Sequence, residues 1–264
     1  MRKIAILFAV CIMNSCTVVE EMKESTEATA AKQEEINTIE DEVAPKTPDL
    51  IISDSISILL PASYGSGEVD PNVESMTWVG LFSNDNDNSV TCHKTKLKIK
   101  PIHSPMVDDE GEMSGIQIYC EGYDNDPMLL IAGIEISEDV QIDSYNGLKT
   151  RLLPGESLQL GDYKIRALGS MEGQNLNSIR GYQLVISGVK NGAAIEQVFF
   201  ETEYFDDAMV GLIWAGDLDQ DGIPDLYMDT SFKYSFSNPA LFLSSKAGGN
   251  ELLKLVAEIR LFGC

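Results

Sequence analysis

The chain has 264 residues, 19 of them Lys or Arg against 42 Asp or Glu, for a formal charge of −23, and 44% of its residues are hydrophobic. Nucleic-acid binding needs clustered cations that displace counterions from phosphate, so this acidic balance excludes that class of partner. The apolar fraction is too high for a disordered chain, and the length allows one large domain or two small ones with a sizeable core.

At the amino terminus, Arg2 and Lys3 precede an unbroken apolar run from Ile4 to Met13, followed by Asn14-Ser15-Cys16. Ten residues cannot span a bilayer as a helix, and a basic start, a short apolar run and a small residue before a break read as a secretory signal. Met13-Asn14-Ser15-Cys16 resembles the lipobox of bacterial lipoproteins, departing from the common pattern at Met13 and Asn14. The resemblance implies that residues 1–15 are a signal peptide and that Cys16 becomes the lipidated first residue of an exported protein. Each acyl methylene buried in a membrane adds about 0.8 kcal/mol, so several chains hold the protein at the bacterial cell envelope. Ordinary cleavage, giving a soluble secreted protein, is the alternative. No second membrane-spanning candidate follows.

Residues 16–49 form a second region. Thr17 to Asp49 holds ten acidic and three basic residues, and no aromatic residue or glycine occurs from Cys16 through Ser63. Such a segment buries too little apolar surface to offset its ordering entropy and reads as an acidic flexible tether, closed by Pro45 and Pro48. Ala and Glu between Glu27 and Glu42 also permit a solvated helix.

Setting aside the +2 of the signal and the −7 of the tether leaves −18 on residues 50–264. In this third region short apolar or alternating segments recur between turn-formers: Ser57 to Leu60, Met76 to Phe82, Gly115 to Tyr119, Met128 to Ile136, Tyr182 to Val189, Ala194 to Phe205 and Met209 to Trp214. That spacing predicts an all-β domain, a β-sandwich-like double sheet, with a β-propeller as the alternative. A propeller repeats its motif, and the acidic motif described below occurs once. His93 to Lys100 alternates most cleanly, placing Lys94, Lys96, Lys98 and Lys100 on one face of a strand. Lysines there protect an exposed edge from pairing with other chains, or bind an anionic polymer. At the carboxyl end, Leu253 to Leu261 fits strand and helix spacing alike. The Gly248-Gly249-Asn250 turn after Leu241 to Ser244 favours a hairpin.

The most specific chemistry lies at Asp217-Leu-Asp-Gln-Asp-Gly-Ile-Pro-Asp225. Four carboxylates in nine residues repel, at about 4 kcal/mol per pair for 4 Å and an effective dielectric near 20. A hard cation removes that penalty, and Ca2+, which takes six to eight oxygens, suits a loop that has neither Cys nor His. The predicted ligands are the side chains of Asp217, Asp219 and Asp221, the backbone carbonyl of Ile223, and Asp225 directly or through water. The segment is similar to the calcium loops of FG-GAP repeats, dockerins and thrombospondin type 3 modules, which share this pattern on unrelated scaffolds, so the similarity implies an ion site and no fold. An EF-hand would have Glu at the twelfth loop position, where this chain has Met228. Gly211 to Trp214 and Leu226 to Met228 read as strands flanking the loop. The clusters Asn84 to Asn88, Asp108 to Glu110 and Tyr123 to Asp126 read as loops or Asx-rich turns.

Once Cys11 leaves with the signal and Cys16 is lipidated, Cys92, Cys120 and Cys264 remain in an oxidising setting, and the turn-rich segment between them suggests a Cys92–Cys120 disulfide. Cys264 is the competing partner of either. Enzyme signatures such as Gly-x-Ser-x-Gly, His-Glu-x-x-His or a phosphate loop do not occur, although a glycosidase carboxylate pair needs no local motif. The sequence therefore predicts no catalytic residue and supports a lipid-anchored calcium-binding β module that engages a protein or glycan at the envelope. A hydrolase acting on envelope polymers, or a structural envelope component, are the alternatives.

Overall fold

The computed structural model describes residues 56–262 apart from 66, 85–88, 105–106, 124, 134–139 and 146–149. The expected signal peptide of residues 1–15, the expected tether of residues 16–49, the expected lipidation site Cys16, and Cys264 lie outside the described residues. Within them the protein is all-β, with two 3-10 turns and no α-helix, and no helix is long and apolar enough to cross a membrane.

Of five antiparallel sheets four stack face to face, the fifth being the two-stranded pair of Phe236–Ser237 and Leu261–Phe262. Sheet I comprises Ser63–Tyr64, Gly115–Cys120 and Leu97–Ile102, and sheet II runs Ser57–Leu59, Leu129–Ala132, Trp78–Asn84, Ser89–Thr95, Val140–Asp143. Sheet III is a meander of Gly211–Gly216, Asp225–Asp229, Pro239–Leu243 and Lys254–Glu258, and sheet IV a meander of Ala193–Tyr204, Arg180–Lys190, Tyr163–Ser170 and Ser157–Leu160. Period-two alternation assigns each side chain to a layer. In sheet II, Trp78, Leu130 and Ala132 pack with Leu97 and Ile118 of sheet I, whereas Val79, Leu81, Leu129 and Ile131 pack with Trp214, Tyr227 and Leu241 of sheet III. The other face of sheet III, through Leu226, Met228 and Phe242, packs with Ile165, Tyr182, Leu184 and Ile186 of sheet IV. Sheets II and III are thus covered on both faces. Among the described residues no core cluster joins sheet IV back to sheet I, so the sandwich-like stack, not a radial propeller, is the architecture.

The strands expected from Ser57, Met76, Gly115, Tyr182, Ala194, Met209 and Leu241 are present, with ends displaced by up to two residues, and the one expected over Met128 to Ile136 is Leu129–Ala132, residues 134–139 lying outside the described residues. The carboxyl-terminal segment is a strand, Lys254–Glu258, pairing with Pro239–Leu243 as expected for the hairpin. Trp78–Asn84 and Ser89–Thr95 also form a hairpin, its end tied by Asn84 Nδ2 to Ser89 Oγ at 2.7 Å; residues 85–88 lie outside the described residues.

Two expectations are corrected. The lysine row is not one strand: the chain passes from sheet II to sheet I at Lys96, so Lys94 belongs to one sheet and Lys98 and Lys100 to another. The expected Cys92–Cys120 disulfide is not formed, and both thiols are free and buried. Cys92 points into the core between sheets II and III and Cys120 into the core between sheets I and II. Neighbouring strands in sequence had suggested proximity, but alternation sends the two sulfurs to opposite sides of sheet II.

Candidate metal centre

The acidic loop connects the first two strands of sheet III. Gly216 ends one strand opposite Asp225, which begins the next, so the two ends of the nine-residue motif are brought together by backbone pairing. Gln220 and Gly222 adopt left-handed φ values of 60° and 84°, which turn the chain sharply; glycine takes this conformation without a Cβ penalty. The strands on either side confirm the expected flanks and leave no place for an EF-hand helix.

Loop amides then fix the carboxylates. Asp217 accepts from the Asp221 N–H at 3.0 Å and the Gly222 N–H at 2.9 Å. Asp221 Oδ1 accepts from the Ile223 N–H at 2.8 Å and the Ser244 hydroxyl at 3.0 Å. Asp225 is fully buried; its Oδ2 accepts from the Leu218 N–H at 2.8 Å, and its Oδ1 from the N–H and hydroxyl of Ser244 at 2.7 and 3.0 Å. Asp219 Oδ2 accepts from the Ser245 hydroxyl. Its other oxygen, Oδ1, is buried and has no hydrogen-bond partner.

Of the five predicted ligands the structure brings three together: Asp217, Asp219 and Asp225 place carboxylate oxygens within 4.8 Å of one another. Asp221 is outside that cluster and faces Ser244. Ile223 turns its side chain into the core between sheets III and IV, while its N–H holds Asp221. The electrostatic result is a site in need of positive charge. Burial pushes the Asp225 carboxyl up to about 8, the negative charge of Asp219 adds to this, and the Ser244 and Leu218 hydrogen bonds oppose it. Asp219 is raised as well, first by burial and then, against the Ser245 hydrogen bond, by Asp221 and Asp217. Tyr145 and Tyr163 nearby are raised by burial and by the carboxylates of the loop.

Several residues of this site carry no signature in the sequence. Ser244 and Ser245 come from the loop after Pro239–Leu243, 19 to 26 positions from their partners, and only strand pairing predicts their approach. That loop is held from sheet IV. The Lys190 ammonium donates to the carbonyls of Ser244, Ala247 and Glu251 at 3.2, 3.4 and 3.1 Å. Gln197 accepts from the Leu252 and Leu253 N–H groups and donates to the Leu253 carbonyl. The weaker acidic cluster at Asp108 is a loop closure, its carboxylate accepting from the N–H groups of Ser104 and Ser114 at 2.7 and 2.9 Å.

An oxygen-only donor set with converging carboxylates and an orphaned buried oxygen fits a hard divalent cation, and calcium tolerates the irregular geometry of a hairpin loop. No protein-family model, curated protein or solved structure matches this chain.

Proposed function

We propose that the protein is an exported lipoprotein, held through Cys16 to a membrane of the bacterial cell envelope, whose β module is stabilised by Ca2+ and binds a protein or glycan there. The observation that carries the calcium part is the convergence of Asp217, Asp219 and Asp225 around the buried, unpartnered Oδ1 of Asp219. The cation neutralises the three carboxylates and locks the hairpin, with Asp221 and the Ile223 carbonyl as the further oxygen donors of the same loop. The lipobox-like Met13 to Cys16 and the acidic segment of residues 16–49 support anchoring with reach. A module so placed and cross-braced by an ion presents a fixed surface to other envelope components.

The test has two parts on the full chain. Calorimetric titration with calcium is expected to give saturable binding and a raised Tm, and a Tm equal in calcium and in chelator would falsify the ion site. Pull-down from envelope extract in calcium and in chelator, followed by mass spectrometry and glycan analysis, is expected to retain a partner in calcium. Turnover on a panel of envelope polymers would replace binding with the hydrolase reading.

A further inference from the structure

Where the acidic loop leaves sheet III, the end of sheet II lies beside it. Just past Val140–Asp143, Ser144 bridges to Gly216, and the Tyr145 N–H donates to the Ala215 carbonyl at 3.2 Å. This pairing sets Gln141, Asp143, Ser144 and Tyr145 against Asp217 and Gln220, and together with Ile142 they line an open cleft of about 330 Å3. Its wall is held from behind. Ser144 Oγ accepts from the Trp214 Nε1–H at 2.7 Å, and the Tyr145 ring lies so close to Gly161 that a Cβ there would stand 3.3 Å from it. A wall formed in advance costs little ordering when a ligand arrives.

Asp217 belongs both to this cleft and to the carboxylate cluster, so a ligand in the cleft lies beside an ion held by the cluster. Calcium takes six to eight oxygens. Asp217, Asp219, Asp221, Asp225 and the Ile223 carbonyl supply at most five, counting one oxygen from each, and so leave one to three positions for oxygens from outside the loop. The surrounding charges restrict what fills those positions. Among the described residues the lining carries the carboxylates of Asp143 and Asp217 and no Lys, Arg or His. The four carboxylates of the loop outweigh the two charges of the ion, so the loaded site stays negative and an anionic ligand meets no side-chain cation. An ammonium or guanidinium group has no lone pair to offer a metal. A neutral oxygen donor satisfies both conditions, and adjacent hydroxyls on one sugar ring present two such oxygens to one ion.

We propose that the Tyr145 cleft binds a neutral glycan through the calcium ion, two vicinal hydroxyls of one sugar taking the coordination positions that the loop leaves open. Hydroxyls beside that pair meet Asp143, Gln141 and Gln220, which are all exposed. A carboxylate accepts hydroxyl protons, and a side-chain amide both donates and accepts. The inference rests on the calcium reading of the same loop and names the ligand class and the surface that takes it.

The experiment titrates the full chain with calcium and then, at saturating calcium and in chelator, with neutral and charged polymers. The neutral probes are dextran and mannan, both rich in vicinal hydroxyls, and the same polymers after periodate cleavage of those pairs and reduction with borohydride. The charged probes are carboxymethyl-dextran and polylysine. Intact dextran or mannan is expected to bind in calcium and to be released by chelator, the cleaved and charged polymers binding about tenfold more weakly or less. Asp143→Ala and Gln141→Ala are each expected to weaken the intact polymer several-fold at saturating calcium. Equal binding in chelator would overturn the role of the ion, and equal binding of the cleaved polymers would overturn the vicinal pair. Tighter binding of carboxymethyl-dextran or polylysine would overturn the selection of a neutral ligand. Unchanged affinity in both variants would place the glycan outside the cleft and overturn the inference. If calcium binds and neither intact polymer does, water completes the ion, the inference fails and the calcium reading stands. If calcium does not bind, both fail.

Discussion

Asp219 is the least satisfied residue of the acidic loop: one oxygen is engaged by Ser245 and the other is buried without a partner. In the absence of metal its half-buried charge is repelled by those of Asp221 and Asp217, so Asp219→Asn is expected to leave the chelator-treated protein as stable as the parent or more so. The same substitution removes a ligand. A ligand at a hundred times its Kd stabilises by about 2.7 kcal/mol, which for a chain of this size is a rise in Tm of roughly 5 to 10 °C. Differential scanning calorimetry is expected to show that rise in the parent and not in Asp219→Asn. The Asp225 carboxyl adds a pH dependence. Its folded value of about 8 lies well above the roughly 3.9 of an unfolded aspartate, so the folded state binds the proton more tightly. The stability this contributes is complete below about pH 4 and is lost as pH rises through about 8. In chelator, Tm is expected to fall between pH 5 and pH 8, and in calcium the fall is expected to shrink; parallel falls in the two conditions would contradict the coupling. Spacing alone made Asp217, Asp219 and Asp225 legible as a cluster, because alternate acids around a glycine turn are brought together whatever the fold. It could not distinguish Asp221, whose removal from the cluster depends on Ser244, a residue delivered by a later strand.

The hairpins decide what reaches the loop. Arg180–Lys190 and Ala193–Tyr204 form the long hairpin of sheet IV, and its Lys190 gathers three carbonyls of the loop that carries Ser244 and Ser245. Lys190→Met keeps the aliphatic stem and deletes the charged donors. It is expected to weaken calcium several-fold in a titration although Lys190 touches no carboxylate of the loop, and an unchanged affinity would show that Ser244 and Ser245 are positioned without it. Gly216, opposite Asp225, is constrained by its surroundings: a Cβ there would lie 2.4 Å from the Trp214 ring and 3.1 Å from the Asp143 carbonyl. The Trp214 ring is itself tied by its Nε1–H to Ser144 Oγ at 2.7 Å. Gly216→Ala is therefore expected to cost about 1 to 3 kcal/mol by overpacking, read as a lower midpoint in denaturant at unchanged slope. Sheet III was legible because strands covered on both faces read as near-continuous apolar runs, as in Leu226-Tyr-Met228 and Ala240-Leu-Phe-Leu243. Ser157–Leu160 and Tyr163–Ser170, which lie outside the expected strands, also carry a sequence signal. Leu158, Leu160, Tyr163, Ile165 and Ala167 alternate with Gln159, Lys164 and Arg166 across the two-residue turn Gly161-Asp162, where Gly161 takes φ 57°.

At the scale of the whole molecule, alternation reveals which face of a strand is apolar but not which sheet covers it, and the order of the four layers was the part the sequence withheld. The same gap explains the cysteines. Read along the chain, Cys92 and Cys120 sit on strands joined by turns; read through the stack, they lie on opposite sides of sheet II, each filling its own core. Burial pushes the Cys92 thiol up to about 12 and raises that of Cys120 too, against a hydrogen bond to Thr95. Since the thiolate is the reactive form in alkylation and disulfide exchange, both sulfurs are protected chemically as well as sterically. In native conditions an alkylating reagent is expected to label neither Cys92 nor Cys120, and in denaturant it labels both without prior reduction. A non-reduced digest that yields a peptide cross-linked between them would refute the layer assignment, because closing that bond requires one sulfur to pass through sheet II. With both thiols buried and unlinked, the described domain owes its stability to stacked apolar faces and, on the proposed reading, to an ion held by Asp217, Asp219 and Asp225. A reductant is therefore expected to leave Tm unchanged where a chelator lowers it.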